Sequence, residues 1–315
     1  MERRDFLKKS VLAGLTTGAL FSIGGLNKLS AKGNSFRELG ENEENASPYD
    51  LVAVKGGEPA DMFDKAILSM GGMSAFIKKG QKVVVKPNIG WDVVPELAAN
   101  TNPLLVKRII EHCFKAGAKE VLVFDHTCDD WTKSYKSSGI EKAVKDAGGK
   151  MVPGNTEGYY HEKEITNGKK LKKDKVHEAI LNADVFINVP VLKNHESAKL
   201  TISMKNLMGI NWDRGFWHKN DLHQCIADFA SQIKPHLNIV DAYNVMKKNG
   251  PRGVSADDVI MMKSLIVSRD MVAADAAAAK LFGLNPEDVK YIKIAHDMKV
   301  GRMDIDKLNI NRIKM

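Results

Sequence analysis

The chain has 315 residues, 43% of them hydrophobic and 27% charged, with a formal net charge of +8. That is enough chain for one large domain or two packed ones, and the apolar share excludes a sequence too polar to bury a core. Its three cysteines include no Cys-x-x-Cys, which excludes the usual thiol spacings of zinc ribbons and iron-sulfur clusters.

Residues 1–31 read as an export leader. Arg3 and Arg4 precede Asp5, Phe6, Leu7 and Lys8, an uncharged run follows from Val11 to Leu26, and the small residues Ser30 and Ala31 stand where cleavage would fall. The apolar run is shorter than the roughly 20 residues a spanning helix needs, and this order is a signal-peptide layout. The Arg3 to Lys8 pattern resembles the twin-arginine signal of bacteria. It implies the twin-arginine translocase as a partner during export, folding before export, a periplasmic or otherwise exported location, and no stable membrane span after cleavage. Removing the leader's five basic and two acidic residues lowers the net charge from +8 to +5. No block of Lys and Arg alternates with aromatics, so nucleic acid is not an expected partner, and a small anionic molecule is.

Residues 32–49 are rich in Gly, Asn, Ser and Glu without periodicity and read as a flexible linker. An α/β domain is expected over 50–298, with 299–315 as a C-terminal extension. Strand-like and helix-like segments alternate: Leu51 to Lys55, then a helix over Ala60 to Ile77; Lys82 to Lys86, then a helix over Pro103 to Ala116; Glu120 to Asp125, then a helix near Ile140 to Ala147. Asn102-Pro103 supplies a cap and a first-turn proline, and Gly117 a stop. Such alternation predicts a mostly parallel central sheet flanked by helices, in one body or two intimately packed lobes.

From Met151 to Lys175 the glycines and the run Lys169, Lys170, Lys172, Lys173 predict an inserted hairpin with a solvated basic face, followed by a short helix over Val176 to Asn182. The stretch from Asp184 to Gly209 organises the rest. Val185, Phe186, Ile187, Val189 and Val191 suit a strand covered on both faces, and Pro190 marks its end or an edge. Lys193, Asn194, His195 and Glu196 follow in a polar loop, then a helix-compatible segment holding Lys199, Ser203, Lys205 and Asn206. Between Ile210 and Asn220 a loop carries Trp212 and Trp217, which either wall a pocket or tether the loop to the core. Asp221 caps a helix to Ile233. His236 to Val240 is a strand ending at Asp241, Gly250 to Gly253 a tight turn exposing Arg252, and Met261 to Val267 a strand. Val272 to Phe282 is an Ala-rich helix containing Asp275, and Pro286 opens a last helix to about Met298.

Three apolar strands thus run directly into polar residues: Lys86-Pro87-Asn88, Asp125-His126-Thr127 and Lys193-Asn194-His195. Ligands of open α/β sheets collect at the carboxyl ends of strands, so these groups are expected to share one cleft. Lysines there attract phosphate or carboxylate, and a desolvated Lys or a His titrates near neutrality and moves protons. The cluster of Lys, Asp and His binds an anion, holds a divalent metal through Asp and His, or satisfies its own charges. No phosphate-binding glycine loop, nucleophile elbow or His-Glu-x-x-His is present. Cys113 reads as a buried free thiol, leaving Cys128 and Cys225 as a candidate disulfide pair in an oxidising compartment.

Lys86-Pro87-Asn88, Asn188 to His195, Lys205-Asn206-Leu207-Met208-Gly209, Asp241 before the Gly250-Pro251 turn, and Asp270 with Ala273, Ala274 and Asp275 together resemble the domain-of-unknown-function family 362. The likeness spans roughly Leu51 to His296. Many members of that family carry ferredoxin-like iron-sulfur modules; this chain lacks the cysteines, which argues against a cluster. The resulting expectation is an exported enzyme acting on a small anionic substrate. His195, Lys193 and Asp125 are its catalytic candidates, and Lys86, Asn88, Lys205, Asn206, Asp241 and Asp275 its binding candidates. The alternative is a non-catalytic periplasmic ligand-binding or redox-accessory protein.

Overall fold

Strand and helix alternate along most of the chain in the computed structural model, which describes residues 47–315. The leader at 1–31 and residues 32–46 of the linker lie outside the described residues. β1 (Leu51–Lys55) leads into α1 (Pro59–Ser69), and β2 (Lys82–Pro87) into α2 (Pro103–Lys115). β3 (Glu120–Val123) precedes α3 (Trp131–Ser137), α4 (Ile140–Asp146) and the short β4 (Lys150–Met151). A separate hairpin of β5 (Tyr160–Glu164) and β6 (Lys173–His177) leads through α5 (Glu178–Leu181) to the central strand β7 (Val185–Val189). Then come β8 (Val191–His195), β9 (Lys199–Thr201), α6 (Ser203–Asn206), α7 (Arg214–Lys219) and α8 (Leu222–Gln232). β10 (Leu237–Met246), β11 (Val259–Ser268), α9 (Met271–Phe282), α10 (Lys290–Asp297) and β12 (Ile310–Lys314) complete the order.

Ten strands form one sheet whose main path is β12-β1-β11-β10-β7-β2-β3-β4, with β8 paired to β10 and β9 to β8. The run from β10 through β7, β2 and β3 to β4 is parallel throughout, as is β12 beside β1; β11 lies antiparallel to both β1 and β10. This is the expected α/β fold with a mostly parallel sheet, and the described residues fall in one compact unit.

The period of two along each strand divides the core. Val83 and Val85 share one buried cluster with Phe63, Leu105 and Ile109 of α1 and α2, whereas Val84 joins Phe186 and Phe229 on the opposite face. Helices therefore cover both sides of the parallel centre, as its unbroken apolar strands require. Each such buried side chain contributes about 1.5–3 kcal/mol.

Several boundaries differ from the sequence reading, each for a local reason. The helix expected over Ala60 to Ile77 stops at Ser69, because Gly71 (φ 92°) and Gly72 (φ 78°) turn the backbone left-handed. β7 does break at Pro190, but Val191–His195 resumes as β8 beside β10, so Lys193 and His195 project from a strand rather than a loop. The helix expected beyond it splits into β9 and α6, and the following loop contains α7. Trp217 in α7 is fully buried and its Nε1 donates to Asp174 Oδ2 at 2.7 Å, so this tryptophan tethers the segment to the core. Asp241 lies inside β10, which continues to Met246. Cys128 and Cys225 are free thiols, the first exposed and the second buried against the core on α8, so the expected pair does not form.

Candidate functional site

The parallel strands β7, β2 and β3 end together. Val85 of β2 is in register with Val123 of β3 and with Ile187 of β7, so the residues just beyond them meet at one rim. Lys86 is fully buried there, with its Nζ 2.9 Å from Asp125 Oδ1 and donating to Asn206 Oδ1 at 2.9 Å. The second Asp125 oxygen accepts the Ile89 N–H at 2.6 Å. Asn206 links the strands: its Oδ1 also accepts from Asn88 Nδ2 at 2.9 Å, and its Nδ2 donates to Asn188 Oδ1 at 2.8 Å. Burial pulls the Lys86 pKa down and Asp125 pulls it back up. Gly209 lies directly on this pair: a Cβ there would stand 1.7 Å from Asp125 Oδ1 and 2.5 Å from Lys86 Nζ.

Two more lysines have no carboxylate. Lys193 Nζ donates to Asn88 Oδ1 at 3.2 Å and to the Ala99 carbonyl, both neutral acceptors, and burial lowers its pKa to about 7. Lys205, on α6, is 9% exposed and has neither hydrogen bond nor ion pair among the described residues. Burial lowers its pKa to about 8. His195 is held neutral: burial first, then Lys205 and Lys193, push its pKa down to about 2. Its Nδ1 accepts the Ala198 N–H at 3.3 Å, which leaves the ring proton on Nε2.

These groups wall a cavity of about 390 Å³. All three expected catalytic residues (His195, Lys193, Asp125) line it, as do Lys86, Asn88, Lys205 and Asn206 of the expected binding set. Asp241 and Asp275 do not. Asp241 accepts the N–H groups of Asn102 at 2.7 Å and Tyr243 at 3.1 Å, fixing the start of α2, and burial raises its pKa to about 6. Asp275, on α9, accepts the N–H groups of Ser203 at 2.7 Å and Met204 at 3.0 Å, and burial raises it to about 7. It thereby holds the turn that presents Lys205 and Asn206, one layer behind the cavity.

Other lining residues fall outside the expected set. Arg214 of α7 donates to the carbonyls of His126 at 2.9 Å and Thr127 at 2.7 Å, and its Nη1 lies 3.3 Å from Cys128 Sγ. The sequence does carry a hint: His126 directly follows Asp125, and Arg214 stands between two tryptophans, of which Trp212 stacks on His126 at 4.9 Å. Four cationic side chains (Lys86, Lys193, Lys205, Arg214) thus face two carboxylates, Asp125, which is spent on Lys86, and the exposed Glu196. Asp125 and His195 gain no third partner of metal-ligating type: among the described residues no three of His, Cys, Asp or Glu are placed to hold a metal ion.

An α/β sheet with a lysine-rich cavity at its carboxyl rim defines the class of protein. The family described as a domain of unknown function (DUF362) matches residues 83–280, and the chain belongs to that family. A thylakoid-associated protein of Synechocystis sp. is 25% identical over 228 residues, which cover 70% of this chain and 68% of that protein. Among solved structures, the lactate racemase apoprotein of Thermoanaerobacterium thermosaccharolyticum aligns over 76% of this chain with a TM-score of 0.48 and 13% identity, and the alignment spans 58% of that protein's length. Among the described residues no helix is long and apolar enough to cross a membrane.

Proposed function

We propose that the cavity binds a small anion, a carboxylate or phosphate, and that the protein is an enzyme acting on it. The observation that supports this reading is Lys205. Its side chain lines the cavity with neither a hydrogen bond nor an ion pair among the described residues, so its ammonium is an uncommitted donor for an anion that enters. Lys193 has the pKa a proton-exchanging group needs at neutral pH. The proton transfer expected of His195 is therefore assigned to Lys193, because a ring held neutral down to about pH 2 acts as an Nε2–H donor instead. Lys86 and Asp125 orient Asn88 and Asn206 around the ligand.

Sulfate, phosphate and a panel of small carboxylates tested by calorimetry are expected to bind the wild type, and Lys205→Met to weaken binding about tenfold or more, the worth of one charged hydrogen bond. Failure of every such anion to bind the wild type contradicts the reading. Incubation of a bound carboxylate or phosphate with the protein then separates an enzyme, which consumes it, from a periplasmic binding or accessory protein, which does not.

The twin-arginine route is proposed on the order Arg3, Arg4, Phe6, Leu7, Lys8 ahead of an uncharged run. Exchanging both arginines for lysine is expected to leave uncleaved precursor in the cytoplasm of a host that has the pathway. Undiminished export of that variant would rule the route out.

A further inference from the structure

Cys128 stands in the cavity wall and is exposed, whereas Cys113 and Cys225 are buried. Its place is fixed from both sides. The Cys128 N–H donates to the Gly90 carbonyl at 2.8 Å, and the Arg214 guanidinium spans the two preceding carbonyls before reaching the sulfur at 3.3 Å. Lys205 lines the same cavity, is 9% exposed and has no partner among the described residues. A soft nucleophile and an unpaired cation therefore face the same small volume.

From this geometry we infer that Cys128 is a covalent site for small carbon electrophiles that carry a carboxylate or phosphate, with Lys205 taking the charge while Sγ attacks the adjacent carbon. The inference rests on the anion-binding reading and names the class of ligand. With an anionic carbonyl compound, the sulfur forms the S–C bond, the carbonyl π pair moves onto oxygen, and the thiol proton reaches that oxygen by way of Lys193. The adduct is a hemithioacetal or hemithioketal, formed without any change of oxidation state or further reactant. Holding the two reacting groups together is the source of the rate gain. Burial keeps both the amine and the ammonium of Lys193 available to relay the proton.

Iodoacetate and its neutral counterpart iodoacetamide test this directly; in each the S–C bond forms and iodide leaves with the C–I electron pair. Mass spectrometry of the intact, natively folded protein is expected to place the adduct on Cys128, with Cys128→Ser unlabelled and the two buried thiols as internal controls. The iodoacetate-to-iodoacetamide rate ratio should be at least about tenfold higher in the wild type than in Lys205→Met, and sulfate should slow iodoacetate in the wild type. Should Lys205→Met fold poorly, sulfate protection of the wild type decides the matter alone. Sulfate that binds by calorimetry yet neither protects Cys128 nor shifts the ratio would overturn the covalent site and leave the anion reading standing. Absence of sulfate binding together with an unselective Cys128 would bring down both.

Discussion

Gly209→Ala is expected to unfold at much lower urea concentration than the wild type, with a loss of about 3–5 kcal/mol, the cost of breaking a buried ion pair. The new Cβ would lie 1.7 Å from Asp125 Oδ1 and 2.5 Å from Lys86 Nζ, so one of the two charged groups must move. Their side chains are 3% and 1% exposed, so the displaced group can go only into the cavity that both line, which breaks the pair. Gly209 is not among the glycines with left-handed backbone, so the penalty is steric and electrostatic rather than conformational. Relocating the Lys86 ammonium would also strip Asn206 of a donor and loosen Asn88, both in the cavity wall. A loss below about 1 kcal/mol, ordinary for a point mutant, would show that the pair is not the fixed centre of the site.

Lys205→Met carries the second large effect, in the opposite direction. In anion-free buffer the variant should be more stable than the wild type near neutral pH, by on the order of 3 kcal/mol at most, since each tenfold change in proton affinity is worth about 1.4 kcal/mol. The sign follows from proton binding. Lys205 titrates at about 8 in the folded protein against an ordinary lysine value of 10.5, so between those values the unfolded chain holds more protons. Wild-type stability therefore gains as pH rises from about 8 toward 10.5 and loses that gain as pH falls back through 8. In Lys205→Met that part of the slope disappears. Parallel urea curves for both proteins across this window measure it, and equal stability at all pH values would mean that Lys205 is not buried alone.

Much of the site was legible because strands signal their ends. Val83 to Val85 running into Lys86, and the apolar run before Asp125, place charged residues at the rim of any parallel sheet built from them. Asn102-Pro103 likewise announced α2, whose cap is the Asn102 side chain accepting from Leu104 N–H at 2.9 Å. What stayed hidden depends on long-range packing. Lys193, Asn194 and His195 look like loop residues, and they form a strand because β10 pairs with Lys193 and β9 pairs with all three. Asp241 and Asp275 have the chemistry of site residues, but their carboxylates are used on backbone N–H groups behind the cavity. Arg214 reaches Cys128 across a sequence separation of 86 residues, which no local pattern encodes. The neutrality of His195 is likewise a product of burial and of two neighbouring lysines rather than of residue type.

The affinity of the wild type for sulfate, measured by calorimetry as a function of pH, tests the cationic cavity most directly, because sulfate keeps its charge throughout. Affinity should be greatest below about 7 and fall as Lys193 and then Lys205, near 8, give up their protons. A sulfate affinity that stays constant through both values, or that survives intact in Lys205→Met, would contradict it.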